Sequence, residues 1–594
     1  MKWLPSLAST FAIVAALSGC STGAVGTPST TVANNNEIST PIVNSQVCSQ
    51  GTTANHVVFF LTISGGGSRA AYFGAEVISR LQNFDDRGSD LAKHINVVSS
   101  VSGGSITAAL YGISRDEPDP QTWRPVWNAK LIRKRLAANL KIDMAEQLAN
   151  PKFLLPYLFG RTDRTDALAE ALDSDVFFDR MKSSENLTLG NLNPERPQII
   201  FNATNATAES TTAFRPRPFG SLFTFSKTDL ESIGVDYATM PLSRAVAASA
   251  AFPGLLSPVV LNRYRLGTDE MELHTPRYIH LIDGGNVDNL GLLAVKRALV
   301  ENSHRLLADC DQVVVVTVDA FGAQGFHRDS QPKMRSAAGW FIDDNTLLSA
   351  FDALLAANRT RLLAEFKSRT FVPPADSEQC RKDDLPADVC LGGVRVNWDE
   401  VNALLKKKLF FVHISFDSEE IMEPPVVTYC QNAYLGPGSP CVGEDHDPRY
   451  YGERAALLAR LKHIPTTFGL SQQEQSDIST YVHLFFNPQN ECLLHLRDLV
   501  AKHATHTSAF YNVATNSCDE TTSDPAAQQG RVRAGKEIFG DAIPIAKTPG
   551  HIEEAPSILS SRYVPLDTVS AREAYWQTVF DRYGWLRPAT SANK

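Results

Sequence analysis

The feature that most constrains this chain is an apolar run, Val57–Ile63, followed closely by three consecutive glycines, Gly65, Gly66 and Gly67. Near-continuous hydrophobicity is typical of a strand that is covered on both faces, as in a parallel sheet. The glycines allow unusual backbone angles in the loop that follows. A helical pattern then covers residues 69–81. The segment therefore predicts a buried strand, a tight loop and a helix.

The same alternation continues along the chain and predicts an α/β fold with a mostly parallel sheet. Further strand-like runs are at 95–99, 199–203, 313–318 and 409–414, and helical patterns include 131–148, 291–307, 347–366 and 455–461. Beyond about residue 330 the pattern is weaker. The last 90 or so residues contain many turn formers, and they are interpreted either as a small subdomain or as arms packed on the main one.

Composition excludes several classes of protein. At 594 residues, with 43% hydrophobic and 20% charged residues, the chain can bury a large core, which excludes a disordered or low-complexity protein. A formal net charge of −9 argues against non-specific nucleic-acid binding. No internal stretch reaches about 18 uninterrupted apolar residues, which argues against a polytopic membrane protein.

The N-terminus has the pattern of a targeting segment. Lys2 precedes a short apolar run at 7–17, which is too short to span a bilayer. The following Leu-Ser-Gly-Cys at 17–20 resembles a bacterial lipoprotein processing box, which implies cleavage before Cys20 and diacylation of its thiol. Ser21 resembles the sorting residue of outer-membrane lipoproteins. The alternative is an ordinary secretory peptide cleaved near Gly19.

Cysteine usage fits an exported chain. Apart from Cys20, the cysteines are Cys48, Cys310, Cys380, Cys390, Cys430, Cys441, Cys492 and Cys518. An even number of cysteines suggests disulfides, and the close pairs Cys380/Cys390 and Cys430/Cys441 are the first candidates. Free buried thiols are the alternative. No Cys-x-x-Cys occurs, so zinc-ribbon and thioredoxin interpretations have no support.

Ser102 lies where a predicted strand turns into a helix. Ser100 and Gly104 flank it in a pattern close to Gly-x-Ser-x-Gly, in which small neighbours expose the serine hydroxyl at a sharp turn. The start of the following helix favours developing negative charge. Taken alone, the match is also compatible with a structural loop.

The glycine loop at 65–67 can present free N–H groups to an oxyanion. A phosphate loop is excluded because no Gly-Lys-Ser/Thr follows, and Ala70 stands where a dinucleotide loop needs glycine. Arg69 is a candidate for binding a carboxylate or a lipid phosphate, or is a surface charge on the helix. Asp283, followed by Gly284 and Gly285, is a further candidate, although Asp-Gly is also a common turn.

These three sets of residues, in this order, resemble the patatin-like phospholipase family. Residues 247–253, with the sequence Ala-Ala-Ser-Ala-Ala-Phe-Pro, resemble the small-residue segment before the family's aspartate, and residues 283–291 resemble an extended motif of its bacterial members. The resemblance covers about 56–330 and extends towards 490 through 464–470. The chain departs from the family pattern at Ser64, Ala70 and Ser100.

The resemblance implies a patatin-like three-layer α/β/α sandwich and a Ser–Asp dyad without a cofactor. Ser102 is then the nucleophile and Asp283 the general base. Gly65, Gly66, Gly67 and Arg69 form the implied oxyanion hole, in which the Gly66 and Gly67 amides donate and Gly65 shapes the loop. Gly104, Gly284 and Gly285 support the motifs. The implied activity is hydrolysis of phospholipid or lysophospholipid esters through an acyl-enzyme.

A Ser-His-Asp triad is the rival mechanism. His280 lies close to Asp283 in sequence, but on one strand its side chain is expected to point sideways or away. His503 and His506 have the spacing of metal ligands, although two histidines alone do not make a site. No His-Glu-x-x-His occurs. No metal and no nucleic-acid partner is expected, and no protein partner can be deduced.

Two apolar segments, 153–159 and 219–225, are candidates to line an acyl groove, with ordinary core as the alternative. The basic patch at 133–135 is interpreted as a solvated helix face rather than as a contact to anionic head groups. Two other functions stay open: a non-catalytic envelope lipoprotein that binds lipid, and a non-lipid esterase or peptidase using the same dyad. The predicted boundaries are 1–19 signal peptide, 20–54 tether, 55–330 catalytic core, 331–500 core-completing or accessory region and 501–594 extension.

Overall fold

The computed structural model of the chain describes Cys48 and most of the residues between 56 and 501. The described ranges are 56–84, 90–136, short pieces between 144 and 157, 162–177, 186–207, 219–262, 278–322, 344–372, 396–416, 457–458, 460–486 and 491–501. The predicted signal peptide with Cys20, most of the tether and residues 502–594, including His503 and His506, lie outside these ranges.

One sheet of eight strands runs through the described residues in the order β5-β6-β3-β2-β1-β7-β8, with β4 paired to β3. Strands β3, β2, β1, β7 and β8 are parallel to one another, whereas β4 and β6 pair antiparallel with β3, and β5 pairs antiparallel with β6. The strands are β1 Val57–Ile63, β2 Val97–Val101, β3 Gln198–Asn205, β4 Leu222–Phe225, β5 Val259–Asn262, β6 Tyr278–Asp283, β7 Gln312–Asp319 and β8 Leu409–Ser415.

Helices cover both faces of the sheet. They are α1 Gly67–Gln82, α2 Gly103–Ile113, α3 Ala129–Arg135, α4 Arg164–Ala171, α5 Lys227–Ser232, α6 Leu242–Ser249, α7 Leu292–Glu301, α8 Ser303–Asp309, α9 Asp344–Lys367, α10 Trp398–Lys408, α11 Gln472–Phe485 and α12 Glu491–Ala501. One core cluster joins a face of the sheet to α1, α2, α6 and α11. The other joins the opposite face to α7–α10. The predicted three-layer α/β/α sandwich is confirmed.

The sequence of β1 explains why both faces are covered. Side chains alternate across a strand, and in β1 Phe59 and Leu61 belong to one core cluster whereas Val58 and Phe60 belong to the other. All four are fully buried. A strand that is apolar on both faces therefore needs a helical layer on each side.

The register of the strands brings two predicted site residues to the same level. Val101 pairs with Asn202 across β2 and β3, and Ala203 pairs with Asp283 across β3 and β6. Ser102 follows Val101 directly, so Ser102 and Asp283 lie on either side of β3. Because β6 runs antiparallel to β3, its last residue reaches the level at which β1 and β2 end.

The structure differs from the expected elements in several places. The pattern at 291–307 forms two helices, α7 and α8, because the chain breaks at Asn302. One edge of the sheet is antiparallel. Beyond residue 330, β8, α9–α12 and nearby residues join the same sheet and core. No described helix is both long and apolar enough to cross a bilayer.

A disulfide joins Cys48 to Cys310, just before β7. This pairing was not among the pairs singled out from the sequence, because its two cysteines are 262 residues apart. Cys380, Cys390, Cys430 and Cys441 lie outside the described residues.

Candidate active site

Ser102 occupies a strained turn between β2 and α2. Its backbone angles are φ 50° and ψ −121°, a region that residues with a side chain rarely adopt. Its side chain is partly exposed, whereas every residue of α2 after it is buried. The predicted sharp turn is therefore present, and it holds the Ser102 hydroxyl at the start of a helix.

The glycines after Ser102 allow this turn to pack against the loop that follows β1. A Cβ on Gly103 would lie 1.9 Å from the carbonyl oxygen of Gly67, and one on Gly104 would lie 2.6 Å from the carbonyl oxygens of both Ile63 and Ser64. Both positions therefore exclude any side chain. The nucleophile turn and the glycine loop approach each other as closely as their backbones permit.

A small hydrogen-bonded cluster holds the Ser102 turn in place. The N–H of Ser102 donates to Ser249 Oγ at 2.9 Å, and the Ser249 hydroxyl donates to the Asn202 carbonyl at 2.6 Å. Ser105 Oγ lies 2.9 Å from Ser249 Oγ and donates to Ser100 Oγ at 3.1 Å. Ser100 thus replaces the usual glycine without disturbing the turn, because its hydroxyl is satisfied there.

The amides of the glycine loop are divided between structure and free donors. Ser64 N–H donates to Val318 O at 2.9 Å, Gly65 N–H to Asn289 O at 2.9 Å, and Ser68 N–H to Thr467 O at 2.8 Å. Among the described residues, neither the Gly66 nor the Gly67 amide donates a hydrogen bond to any acceptor. Gly66 and Gly67 have positive φ angles, at 142° and 61°. Within this loop, the predicted donors Gly66 and Gly67 have amides without an acceptor, whereas the Gly65 amide is engaged in holding the loop.

Arg69 is buried beside the glycine loop, so its interpretation as a surface charge is wrong, whereas its roles in the oxyanion hole and as an anchor for a carboxylate or a lipid phosphate stay predictions. The side chain is 1% exposed. Its guanidinium donates to the Ile464 carbonyl and, at 3.5 Å, to Thr466 Oγ1. Burial lowers the pKa of Arg69 to about 10, against the opposing influence of Asp319. Arg69 therefore fastens the segment that carries Thr467, the acceptor for Ser68.

Asp283 lies at the end of β6 and is 4% exposed. Its N–H donates to Ala251 O at 2.9 Å, its Oδ1 accepts from Gly285 N–H at 2.7 Å, and the Ser102 hydroxyl lies beside its carboxylate. Burial raises the pKa of Asp283 to about 6, although the Gly285 amide and the Ser102 hydroxyl oppose the rise. A Cβ on Gly284 would lie 2.3 Å from the Asn202 carbonyl oxygen, which explains the glycine there.

Within the described part of the chain, no histidine bonds Ser102 or Asp283. His280 is exposed, whereas Ile279, Leu281 and Asp283 are buried. Residues two apart in a strand share a face, so His280 faces away from Asp283, as the sequence predicts. No cluster of three potential metal ligands occurs among the described residues.

The remaining candidates are scattered. Phe219 is 70% exposed, whereas Phe223 and Phe225 are core residues. Of residues 153–159 the structure describes only 154, 156 and 157, and Leu154 is 38% exposed. Arg133 and Lys134 are exposed on α3, as expected of a solvated face.

Three residues of the site were not found from the sequence. Ser249 orients the Ser102 turn, Thr467 orients the glycine loop, and Asn289 lies between that loop and Asp283. Ser249 and Asn289 lie inside stretches that resemble the family, but nothing in those stretches marks their contacts. Thr467 lies within residues 464–470, where the only signal in the sequence is that the resemblance to the family extends through them.

The family model described as patatin-like phospholipase matches residues 61–296. No curated protein matches the chain. The span of the family model contains the glycine loop, the Ser102 turn and the Asp283 loop.

Similar solved structures include three chains, all at low identity. Human GIVD cytosolic phospholipase A2 is 13% identical over 72% of this chain and 63% of that one, with a TM-score of 0.31. VipD from Legionella pneumophila is 14% identical over 87% and 93%, with a TM-score of 0.21. ExoU of Pseudomonas aeruginosa, solved with SpcU, is 12% identical over 88% and 91%, with a TM-score of 0.20. This chain thus spans 63% of the length of the human protein, and at these TM-scores none of the three carries an argument about the site.

Proposed function

We propose, from the match of residues 61–296 to the patatin-like phospholipase family model, that this protein is a serine acyl hydrolase that cleaves the carboxylic esters of phospholipids or lysophospholipids. The observation that carries the proposal is the contact between Ser102 and a buried carboxylate. The Ser102 hydroxyl lies beside the Asp283 carboxylate, whose pKa burial raises to about 6. A base with a pKa near the working pH is suited to take a proton in the transition state.

In the proposed acylation, Ser102 Oγ attacks the ester carbonyl while its proton passes to the Asp283 carboxylate. The oxyanion that forms accepts from the Gly66 and Gly67 amides, which have no other acceptor among the described residues. Collapse of this intermediate breaks the ester bond. The proton on Asp283 moves to the departing alkoxide, which leaves as an alcohol, and the acyl group stays on Ser102.

In the proposed deacylation, water attacks the acyl carbon and gives its proton to Asp283. The same two amides stabilise the second oxyanion. The bond between the acyl carbon and Ser102 Oγ then breaks, Asp283 returns the proton to Oγ, and a fatty acid leaves. One carboxylate thus serves both half-reactions without a histidine.

Apolar side chains flank the Asp283 loop and support a lipid substrate. Leu255 is 50% exposed and lies in the turn that follows Ala251, the acceptor of the Asp283 N–H. Leu354 is 47% exposed and precedes Leu355, whose Cδ2 would lie 3.6 Å from a Cβ on Gly285. Exposed leucines beside a polar catalytic centre suit a substrate with acyl chains.

The test is covalent labelling followed by a substrate panel. A fluorophosphonate probe is expected to modify wild-type protein at Ser102 and to leave Ser102→Ala unlabelled. Ser114→Ala, at the far end of α2, is the matched control and is expected to label normally. Purified protein is then assayed on phospholipids, lysophospholipids and short p-nitrophenyl esters. Equal labelling of wild type and Ser102→Ala, or hydrolysis of short esters alone, would contradict the proposal.

We further propose that the mature chain is tethered to the outer membrane through an acylated Cys20. The Leu-Ser-Gly-Cys at 17–20 supports this, as does the Cys48–Cys310 disulfide, since disulfides persist in oxidising compartments. The intact mass of protein from the membrane fraction is expected to show a chain that begins at Cys20 with its lipid additions. An unmodified Cys20, or a different first residue, would refute the anchor.

A further inference from the structure

Asn289 is a polar residue of the site to which the proposed dyad assigns no role. Its backbone carbonyl accepts from the Gly65 N–H at 2.9 Å, which fixes Asn289 against the start of the glycine loop. Its side chain is partly exposed. Among the described residues no hydrogen bond holds its carboxamide, so this group is available to a ligand.

Two glycines leave the space that this carboxamide occupies. A Cβ on Gly65 would lie 2.3 Å from Asn289 Oδ1 and 3.3 Å from Ser102 Cβ. A Cβ on Gly285 would lie 3.0 Å from Asn289 Oδ1 and 3.0 Å from Asp283 Oδ1. The carboxamide oxygen is therefore a near neighbour of both catalytic side chains.

The position of Asn289 is distinct from that of the oxyanion donors. The free amides belong to Gly66 and Gly67, at the start of α1, whereas Asn289 contacts Gly65 and Gly285 on the side of the Asp283 carboxylate. In deacylation the attacking water must donate one hydrogen to Asp283. Its second hydrogen needs an acceptor beside that carboxylate, and Asn289 Oδ1 is such an acceptor.

We infer that Asn289 is a catalytic residue for deacylation, which holds the hydrolytic water between acyl-Ser102 and Asp283. This rests on the proposed Ser102–Asp283 mechanism. The water donates one hydrogen bond to Asn289 Oδ1 and the other to Asp283. As the water oxygen bonds to the acyl carbon, the second proton passes to Asp283, and the bond to Ser102 Oγ breaks as that proton returns to the serine. Asn289 itself exchanges no proton.

A purely structural residue would affect acylation and deacylation together, whereas the proposed role of Asn289 affects deacylation alone. Acylation uses the hydroxyl of Ser102, Asp283 and the Gly66 and Gly67 amides, none of which needs the carboxamide. Deacylation needs the water as well. Loss of one hydrogen bond next to a charged group corresponds to about a 10- to 100-fold change in rate. Asn289→Ala is therefore expected to slow deacylation by that factor and to change acylation by less than about threefold.

The experiment compares wild type with Asn289→Ala, Asn289→Ser and the control Asn358→Ala, whose carboxamide contacts the Asn286 carbonyl of the same loop at 3.4 Å. Acylation is followed by the rate of fluorophosphonate labelling. Deacylation is followed by steady-state release of p-nitrophenol from a short ester, and by the fraction of acyl-Ser102 seen in intact mass during turnover. Circular dichroism verifies each fold.

The expected result is normal labelling, slower turnover and accumulated acyl-enzyme in Asn289→Ala, with an intermediate effect in Asn289→Ser and none in Asn358→Ala. Turnover equal to wild type without accumulation would overturn the inference, as would a parallel loss of labelling and turnover. Should Asn289→Ala misfold, the same criteria apply to Asn289→Ser. A wild-type protein that never forms acyl-Ser102 would overturn the proposed function and this inference with it, and that outcome is visible before any variant is made.

Discussion

Asp283 and Asp319 are two buried aspartates at the same level of the sheet with opposite electrostatics. Asp283 ends β6 and Asp319 ends β7. Their exposed fractions are 4% and 0%. Burial disfavours the charged form of both carboxyls, so the difference between them comes from their partners.

Asp319 lies between Arg359 and His413. Its carboxylate accepts from Arg359 Nε at 2.6 Å and from His413 Nε2 at 3.0 Å, and it also accepts from the Phe321 N–H at 3.0 Å. Burial alone would raise its pKa, but Arg359 and His413 outweigh burial and hold the pKa well below its usual range. Asp319 therefore stays ionised and acts as a structural anchor.

Asp283 has only neutral donors, the Gly285 amide and the Ser102 hydroxyl, and its pKa rises to about 6. A raised pKa alone does not mark a base, since Asp288 also has a pKa raised by burial to about 6 while it accepts the Leu290 and Leu293 amides. What distinguishes Asp283 is the contact with Ser102. A buried carboxylate without a neighbouring cation therefore lowers the stability of the fold and is suited to act as a base.

The largest expected effect is on turnover when each of the two carboxylates, Asp283 and Asp319, is replaced by an amide. Asp283→Asn keeps the shape of the side chain but removes the base, so kcat is expected to fall by about three to four orders of magnitude. Asp319→Asn is expected to change kcat of the folded protein by only a few-fold. Ester hydrolysis by purified protein with native circular dichroism provides the measurement.

The same pair of variants, together with single replacements of the described histidines, excludes a hidden triad. His280→Gln is expected to cost little activity because the side chain faces away from Asp283. A histidine replacement that silences a well-folded enzyme as fully as Ser102→Ala would mean that Asp283 is not the base.

The second prediction concerns stability at Asp319. Removing one member of a buried ion pair leaves the other charge without compensation, which typically costs about 3–5 kcal/mol. Asp319→Asn is therefore expected to lower the free energy of unfolding by that amount at pH 7, as measured by chemical denaturation. The double variant Asp319→Asn/Arg359→Met is expected to recover part of the loss. A change below about 1 kcal/mol in Asp319→Asn would show that the cluster is not an anchor.

The third prediction is the reverse effect at Asp283. Folding raises the pKa of this carboxyl from about 4 to about 6, so the folded protein binds the proton more tightly, and the contribution of Asp283 to stability is lost as the pH rises through about 6. Asp283→Asn avoids this loss. The variant is expected to be more stable than wild type by about 3 kcal/mol at pH 8, with the gain vanishing near pH 4.

Denaturation curves of the two proteins at pH 4, 6 and 8 provide the measurement. A constant difference across this range would mean that Asp283 does not titrate with folding. Asp288 is present in both proteins, so its own titration cancels from the difference.

Some features of the site and the fold could be predicted from the sequence, and others could not. Ser102, Asp283 and the glycine loop were predictable because each lies at the end of a strand or just after it, and glycine marks the turn. The burial of Arg69 was not, because its partners Ile464 and Thr466 lie almost 400 residues away in sequence. The Cys48–Cys310 bridge and the role of Ser249 were missed for the same reason. Local patterns predict turns, whereas long-range pairing is decided by the register of the whole sheet.

The smallest expected effect is the pH dependence of turnover. The base must be ionised to accept the proton of Ser102, so kcat is expected to rise with pH and to level off above the pKa of Asp283, near 6. At pH 5 the rate is then about one tenth of its plateau, since one unit below the pKa leaves about a tenth of the carboxyl ionised. Asp319 does not contribute, because its pKa lies far below this range. Asp288 does titrate nearby, so the profile is also measured for Asp288→Asn. If the acid limb stays near 6 in that variant, the limb belongs to Asp283. If the limb disappears, Asp288 controls it, and a buried carboxylate that bonds only backbone amides would govern activity through the loop it holds.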